Sequence, residues 1–196
     1  MVKSYLVIAD SGFGGTSLAY NITTKVSDNI IWFPSENPII VRRIVESYRE
    51  RRNLEIFSSR KFNIANLNEI NIILSKSIET RREPSSVCIT LISELILVHG
   101  LEKTYLFLAN LMNKVESKSG TVVGLMIKNA QPRRDEILIS RLFSEIFHLE
   151  NKLNSDQLRF VLTSETPIDD RFVFELEVNG YRVELDPVLE KYIREK

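Results

Sequence analysis

The stretch Ala9-Asp10-Ser11-Gly12-Phe13-Gly14-Gly15-Thr16 has the residue types and spacing of a phosphate-binding loop stripped of its charge. A loop of the form G-x-x-x-x-G-K-[ST] wraps backbone N–H groups around phosphate, sends its lysine to the β and γ oxygens, and holds magnesium through its hydroxyl. In that frame Ala9 stands at the first glycine, Gly14 at the second, Gly15 at the lysine and Thr16 at the hydroxyl. Gly12, Phe13, Gly14, Gly15, Thr16 and Ser17 then form a vestigial phosphate loop, whose backbone amides at a helix start could still make an anion nest. No other lysine in the loop replaces the missing one, and Asp10 adds a carboxylate. That charge would oppose a phosphate ~4 Å away by about 1 to 4 kcal/mol, depending on effective dielectric. The alternative reading is a tight strand-to-helix turn that needs its glycines for backbone geometry alone.

Other chemistry-bearing residues are sparse. Glu36 follows the apolar run Ile30-Ile31-Trp32-Phe33 and could serve as a surface carboxylate; with Pro38 opening the next helix, Ser35 or Glu36 could also cap it. His99 and His148 have no Cys, His or Asp companions at ligand spacing, so no metal site is expected. The single cysteine, Cys88, lies in an apolar run and reads as a small core residue. Arg42, Arg43, Arg49, Arg51 and Arg52 cluster near Glu46 and Glu50, as on a solvated helix face. Lys128, Arg133 and Arg134 flank Asn129-Ala130-Gln131-Pro132 and face three readings, taken in this order: solvation beside Asp135 and Glu136, contact with a partner, and contact with a DNA backbone.

The elements that would position these residues alternate along the chain. With 196 residues, 43% hydrophobic, the sequence is expected to form one domain, 1–196, with a parallel α/β core at 1–152 and C-terminal β strands and a short tail at 153–196. Its 26 basic and 26 acidic residues balance, so no global field draws it to nucleic acid or an anionic membrane. No apolar window reaches the ~20 residues of a membrane span, and a reduced cytoplasmic setting is expected.

Tyr5-Leu6-Val7-Ile8, Ile30 to Phe33, Leu54 to Phe57, Val87 to Leu91 and Thr121 to Ile127 read as strands. Helices are expected from Thr16 to Val26, over Ile39, Ile40, Ile44, Val45 and Tyr48, over Leu67 to Ile78, from Glu94 to Ser117, and from Asp135 to Phe147. In the last of these Ile137, Leu138, Leu142, Ile146 and Phe147 are expected to face inward. This alternation predicts a mostly parallel sheet with helices on both faces. The tail changes to a two-residue period over Leu158 to Leu162, Arg171 to Val178 and Tyr181 to Leu185, with Asn179-Gly180 as a hairpin turn, so antiparallel strands are added.

Val87-Cys88-Ile89-Thr90-Leu91-Ile92-Ser93-Glu94-Leu95 supplies a second motif, an apolar strand that ends on Thr90 and leads through serine into a helix. With the glycine loop and Trp32-Phe33-Pro34-Ser35-Glu36-Asn37-Pro38, it resembles the RecA superfamily, in its KaiC and RadA branch of archaeal type, over residues 5 to 152. The resemblance implies a RecA-like P-loop fold that assembles into rings or filaments. It implies that Thr16 matches the metal-binding hydroxyl and Glu36 the carboxylate that activates water. It also implies that Gly15 replaces the phosphate-neutralising lysine and Thr90 the Walker B aspartate.

Phosphoryl transfer depends on positioning and charge neutralisation, so losing both groups removes most of the rate enhancement. The expectation is a non-catalytic RecA/KaiC-like protein with ATP hydrolysis lost and no cofactor, which assembles with its own copies or with an active RecA-like ATPase. The alternatives are a weak ATPase or nucleotide-binding regulator that uses ATP and magnesium with Glu36 as its catalytic residue, and an accessory DNA recombination or repair protein.

Overall fold

The computed structural model describes residues 3–49, 53–58, 61–81, 83–154 and 157–195. Arg51 and Arg52 of the basic cluster, together with Glu50, lie outside these residues. Strand β1 (Ser4–Ala9) leads to α1 (Phe13–Val26), followed by β2 (Asn29–Phe33), α2 (Pro38–Tyr48), β3 (Asn53–Ile56) and α3 (Leu67–Glu79). Then come β4 (Ser86–Ile89), α4 (Ile92–Ser117), β5 (Val122–Ile127) and α5 (Arg133–Ser140). The chain closes with β6 (Glu145–Asn154), β7 (Gln157–Ile168), β8 (Arg171–Leu176), β9 (Val178–Asn179), β10 (Arg182–Val183) and α6 (Pro187–Glu195).

Eight strands form one sheet in the order β3-β2-β4-β5-β1-β6-β7-β8. Pairing is parallel from β3 to β6, and β6–β7 and β7–β8 are antiparallel. The apolar runs are continuous because both faces are covered. Tyr5, Val7, Ile30, Trp32, Cys88, Val123 and Leu125 pack under α1, α2 and α6, whereas Leu6, Ile8, Ile31, Phe33, Val87, Ile89 and Met126 pack under α3, α4 and α5. Among the described residues no helix is long and apolar enough to cross a membrane.

Several boundaries move. Helix α1 begins at Phe13, three residues earlier than Thr16, so Gly14 and Gly15 are already helical. Helix α4 is broken at Gly100, whose φ of 78° and ψ of 170° separate a short first segment from the long second one. On α2, Ile39 faces solvent and Val41, Ile44 and Tyr48 are the buried positions.

The expected helix 135–147 is the largest departure. Helix α5 ends at Ser140, and Glu145 starts β6, which pairs with β1 in the register Tyr5↔Glu145 to Ala9↔Leu149. Phe147 stacks on Tyr5 with ring centroids 6.1 Å apart, a contact that a helix could not place on the sheet. Ile137 is exposed instead of inward, and Ile139 takes the buried position. Because β6 runs through residue 152, the parallel core and the antiparallel extension share a strand.

Candidate functional site

In an open α/β sheet, ligand crevices lie beyond the carboxyl ends of the strands, where the connections diverge to opposite faces. Here that edge is formed by the ends of β1, β2, β4 and β5 and the starts of α1, α2, α4 and α5. The chain leaves β1 through only Asp10, Ser11 and Gly12. Gly12 turns it with φ at 125°, a conformation that favours glycine, and α1 follows at once.

This short connection is tied to the neighbouring strands. Asp10 N–H donates to the Leu149 carbonyl at 3.2 Å, and the Asp10 carboxylate accepts from Asn151 N–H at 2.9 Å. Asn151 Nδ2 donates to the Ser11 carbonyl at 3.4 Å, and Lys128 N–H to the Ala9 carbonyl at 2.7 Å. Asp10 therefore fastens the loop to β6, a role that its place inside a phosphate-loop frame does not reveal.

The space around the glycines is filled. A Cβ at Gly15 would lie 2.6 Å from Ala9 Cβ and 2.8 Å from Leu125 Cδ1, so a side chain at the lysine position points into the sheet. At Gly14 a Cβ would meet Phe160 Cζ at 2.5 Å. Phe13 packs edge-on to Phe160 at 6.0 Å and against Tyr181 at 5.1 Å. Ser17 is buried and donates to the Tyr181 carbonyl at 2.6 Å, with Tyr48 Oη 2.8 Å from the same hydroxyl.

Thr16 and Glu36 do meet. The buried Thr16 hydroxyl donates to Oε1 of Glu36, and Ser35 Oγ lies 3.3 Å from Oε2 of Glu36 while donating to the Thr90 carbonyl at 3.0 Å. Burial, with the nearby Glu94 charge, pushes the Glu36 carboxyl up to about 7. Burial also raises the Glu94 carboxyl, whose Oε2 is enclosed without a hydrogen-bond partner among the described residues. The cap of α2 is Asn37, whose Oδ1 accepts from Ile39 N–H at 2.9 Å, and not Ser35 or Glu36.

At the end of β4, Thr90 is buried and its hydroxyl accepts from Trp32 Nε1 and donates to the Phe33 carbonyl, each at 3.3 Å. Next to it, Ser93 Oγ accepts from Ile127 N–H and donates to Gln131 Oε1, both at 2.9 Å, while Gln131 Nε2 returns to the Ile127 carbonyl at 3.0 Å. Sequence reasoning missed Glu94, Ser93 and Gln131 as neighbours of this edge. For Glu94 the available signal was its place in the first turn after the Thr90 strand; for Gln131, 38 residues from Ser93, local pattern carries none.

The three basic candidates separate. Lys128 Nζ is held by Glu150 at 2.9 Å, which keeps the ammonium charged and lowers the Glu150 carboxyl. Arg133 and Arg134 are exposed in the first turn of α5 and make no ion pair with a described residue. His99 Nε2 lies 2.7 Å from the Ile64 carbonyl and His148 Nε2 lies 2.8 Å from Glu165 Oε1. Cys88 is fully buried, and desolvation pushes its thiol up to about 12, which leaves no thiolate nucleophile.

The strand order, the helices on both faces and the antiparallel extension define a KaiC-like RecA fold. Among solved structures, a KaiC-like protein from the hyperthermophilic archaeon Pyrococcus horikoshii superposes with a TM-score of 0.67 at 13% identity. The alignment covers 94% of this chain and 89% of that one, and at this identity the likeness is one of fold. No protein-family model matches the sequence, and no curated protein matches it either.

ATP and magnesium, which the resemblance to the RecA superfamily implies, fit the residues present poorly. The loop supplies no cation, the side-chain space at Gly15 is occupied, and the Thr16 hydroxyl is directed at Glu36. What the edge offers is a connected set of hydroxyl, amide and carboxyl groups that largely satisfy one another.

Proposed function

We propose that this chain is a non-catalytic KaiC-like protein that acts by assembling with other protein chains, with ATP hydrolysis lost. The observation that carries the proposal is the hydrogen bond from Thr16 to Glu36. It joins the two groups that the family resemblance assigns to metal and attacking water. The filled space at Gly15 and the uncharged Thr90 support the same reading, because triphosphate chemistry needs preorganised positive charge at both places. Assembly with a protein partner needs no phosphate chemistry at this edge.

The test is calorimetric titration of ATP with magnesium into the purified chain, with phosphate release followed in parallel. No binding in the micromolar range and no turnover are expected. Micromolar binding with turnover would overturn the reading and restore Glu36 as a catalytic carboxylate.

A second reading, an accessory DNA-contacting protein, draws on exposed Arg133 and Arg134. It requires single-stranded DNA binding that weakens steeply with salt and falls when both arginines become alanine. Absence of binding at low salt removes it.

A further inference from the structure

The last strand of the sheet has an unfinished side. Among the described residues strand β8 pairs only with β7, in the register Phe160↔Leu176 to Thr163↔Val173. No described backbone group outside the sheet pairs with Arg171–Leu176. Alternate N–H and C=O groups of a strand point to its outer side, so β8 offers a ready-made ladder. Phe172 is 49% exposed and Val173 54% exposed on this strand.

Edge strands are ordinarily guarded by lysine, proline or a bulge in the outer strand. Arg171–Leu176 has neither lysine nor proline, its register with β7 is regular from Val173 to Leu176, and the irregularity that follows, between Thr163 and Ile168, puts its extra residues on β7 and not on the outer strand. The opposite edge is managed differently. Strand β3 has four residues, Lys61 Nζ donates to its Ile56 carbonyl at 2.7 Å, and Arg81 reaches the Glu55 carboxylate at 3.1 Å.

The order of residues in Arg-Phe-Val-Phe-Glu-Leu selects the occupant. In an antiparallel pair of two identical strands with Val173 opposite Val173, Arg171 falls opposite Glu175 of the other copy, and Glu175 opposite its Arg171. Phe172 falls opposite Phe174 in the same way. The charges match twice by symmetry, and the apolar residues meet apolar residues. Directly opposite pairs of this kind each contribute a few tenths of a kcal/mol to ~1 kcal/mol. Within one chain Arg171 lies 3.1 Å from Asp186 and Glu175 lies 3.4 Å from Arg159, so the joined edge would carry charges alternating in sign from Asp186 through Arg171 and the second copy's Glu175 to its Arg159.

We propose that β8 is a self-complementary edge through which a second copy of this chain joins, making a twofold dimer with one continuous sheet across the interface. This deepens the assembly reading above by naming the partner and the surface, and it rests on that reading only for its biological purpose.

The test is sedimentation velocity over a concentration series with the full chain. The wild type is expected to dimerise, and Val173→Lys, at an exposed position, to weaken association about tenfold or more through like charges opposed at the twofold. Arg171→Glu and Glu175→Arg should each weaken the dimer, and the double variant should regain it. Circular dichroism checks that every variant is folded. Val173→Cys should crosslink under mild oxidation faster than Leu97→Cys, whose side chain is also exposed.

A wild-type monomer, a dimer indifferent to Val173→Lys, or a double reversal no tighter than the single ones overturns the interface. ATP turnover measured on the same samples keeps the two ideas apart. A monomer without turnover removes the edge and leaves the non-catalytic reading, whereas a β8-dependent dimer that hydrolyses ATP does the reverse.

Discussion

The Thr16 hydroxyl donates to the Glu36 carboxyl, linking the first turn of α1 to the segment between β2 and α2. Twenty residues separate them in sequence, and the crossover from β1 to β2 brings both to the carboxyl edge of the sheet. Each group satisfies the other. A hydroxyl so engaged must exchange a buried protein partner for any metal, and a carboxyl so engaged must release a donor before it can orient water. With Glu94 close enough to raise the Glu36 carboxyl further, the pair favours a proton on the edge over a second negative charge.

That preference makes stability depend on pH. The Glu36 carboxyl is raised from 4.5 to about 7, so between those values the folded chain holds a proton that the unfolded chain releases. Its contribution is fully present below the lower value and is lost as pH rises through the upper one, at most about 3 kcal/mol. Glu94, raised as well, adds a change of the same sign. Glu36→Gln removes the titration and keeps an oxygen for Thr16. The variant should therefore unfold at a higher temperature than the wild type above about pH 8, with the advantage shrinking toward about pH 4. Thermal melts across that range decide it, and parallel curves for the two proteins would remove the coupling.

Gly15 gives the second prediction. A methyl group there would overlap Ala9 Cβ at 2.6 Å and Leu125 Cδ1 at 2.8 Å, and both neighbours are buried. Overpacking of this sort costs about 1 to 3 kcal/mol, so Gly15→Ala should lower the urea midpoint accordingly. Gly15→Lys should be worse and should confer no ATP affinity, because its stem must first enter the sheet. Calorimetry on a folded Gly15→Lys protein that bound ATP would show that the loop can reopen.

Much of this arrangement was legible in the sequence because it is local. The apolar runs of β1, β2, β4 and β5 are unmistakable as buried parallel strands, and a hairpin does join β9 to β10, with its turn at Gly180 and Tyr181, one residue past the expected Asn179-Gly180. The junction between α5 and β6 was not legible, because Ile137, Leu138, Leu142, Ile146 and Phe147 imitate a helical period across two elements. Parallel pairing with β1, some 140 residues away, overrides that local pattern. Thr16 and Glu36 were both identifiable as polar residues at strand exits, but their mutual bond was not. Asp10 looked hostile to phosphate, while its partner Asn151 lies 141 residues on. Glu94 read as an ordinary first-turn acid, since enclosure of its Oε2 depends on the packed edge and leaves no mark on spacing.

Trp32, the only tryptophan, gives the third prediction. It is fully buried, stacks on Tyr20 with centroids 4.8 Å apart, and donates to Thr90 Oγ1. Thr90→Val keeps the volume but leaves the indole N–H without its acceptor, which should cost about 1 to 3 kcal/mol and shift the fluorescence of the native state. Thr90→Asp, the substitution that formally rebuilds the missing metal carboxylate, places a charge beside the buried indole and near Glu36 and Glu94. It should destabilise more than Thr90→Val, increasingly so as pH rises and the new carboxyl ionises. Magnesium that stabilised Thr90→Asp but not the wild type would show that the edge can still be converted into a metal site.

Phe160 supplies the last prediction, because it lies over Gly14 from the antiparallel extension. Its ring is 1% exposed, meets Phe13 edge-on, and occupies the position that a Cβ at Gly14 would need. The extension thus packs onto the turn where a phosphate loop would stand open. Phe160→Ala removes the ring from the core and should cost about 3 to 5 kcal/mol, read as a lower urea midpoint. Phe160→Leu should cost less, since most of the apolar volume remains. Neither variant adds positive charge, so neither should bind ADP or inorganic phosphate in calorimetric titrations. If Phe160→Leu remained folded and acquired ADP binding, the aromatic plug, and not the missing cation, would be what keeps nucleotide out.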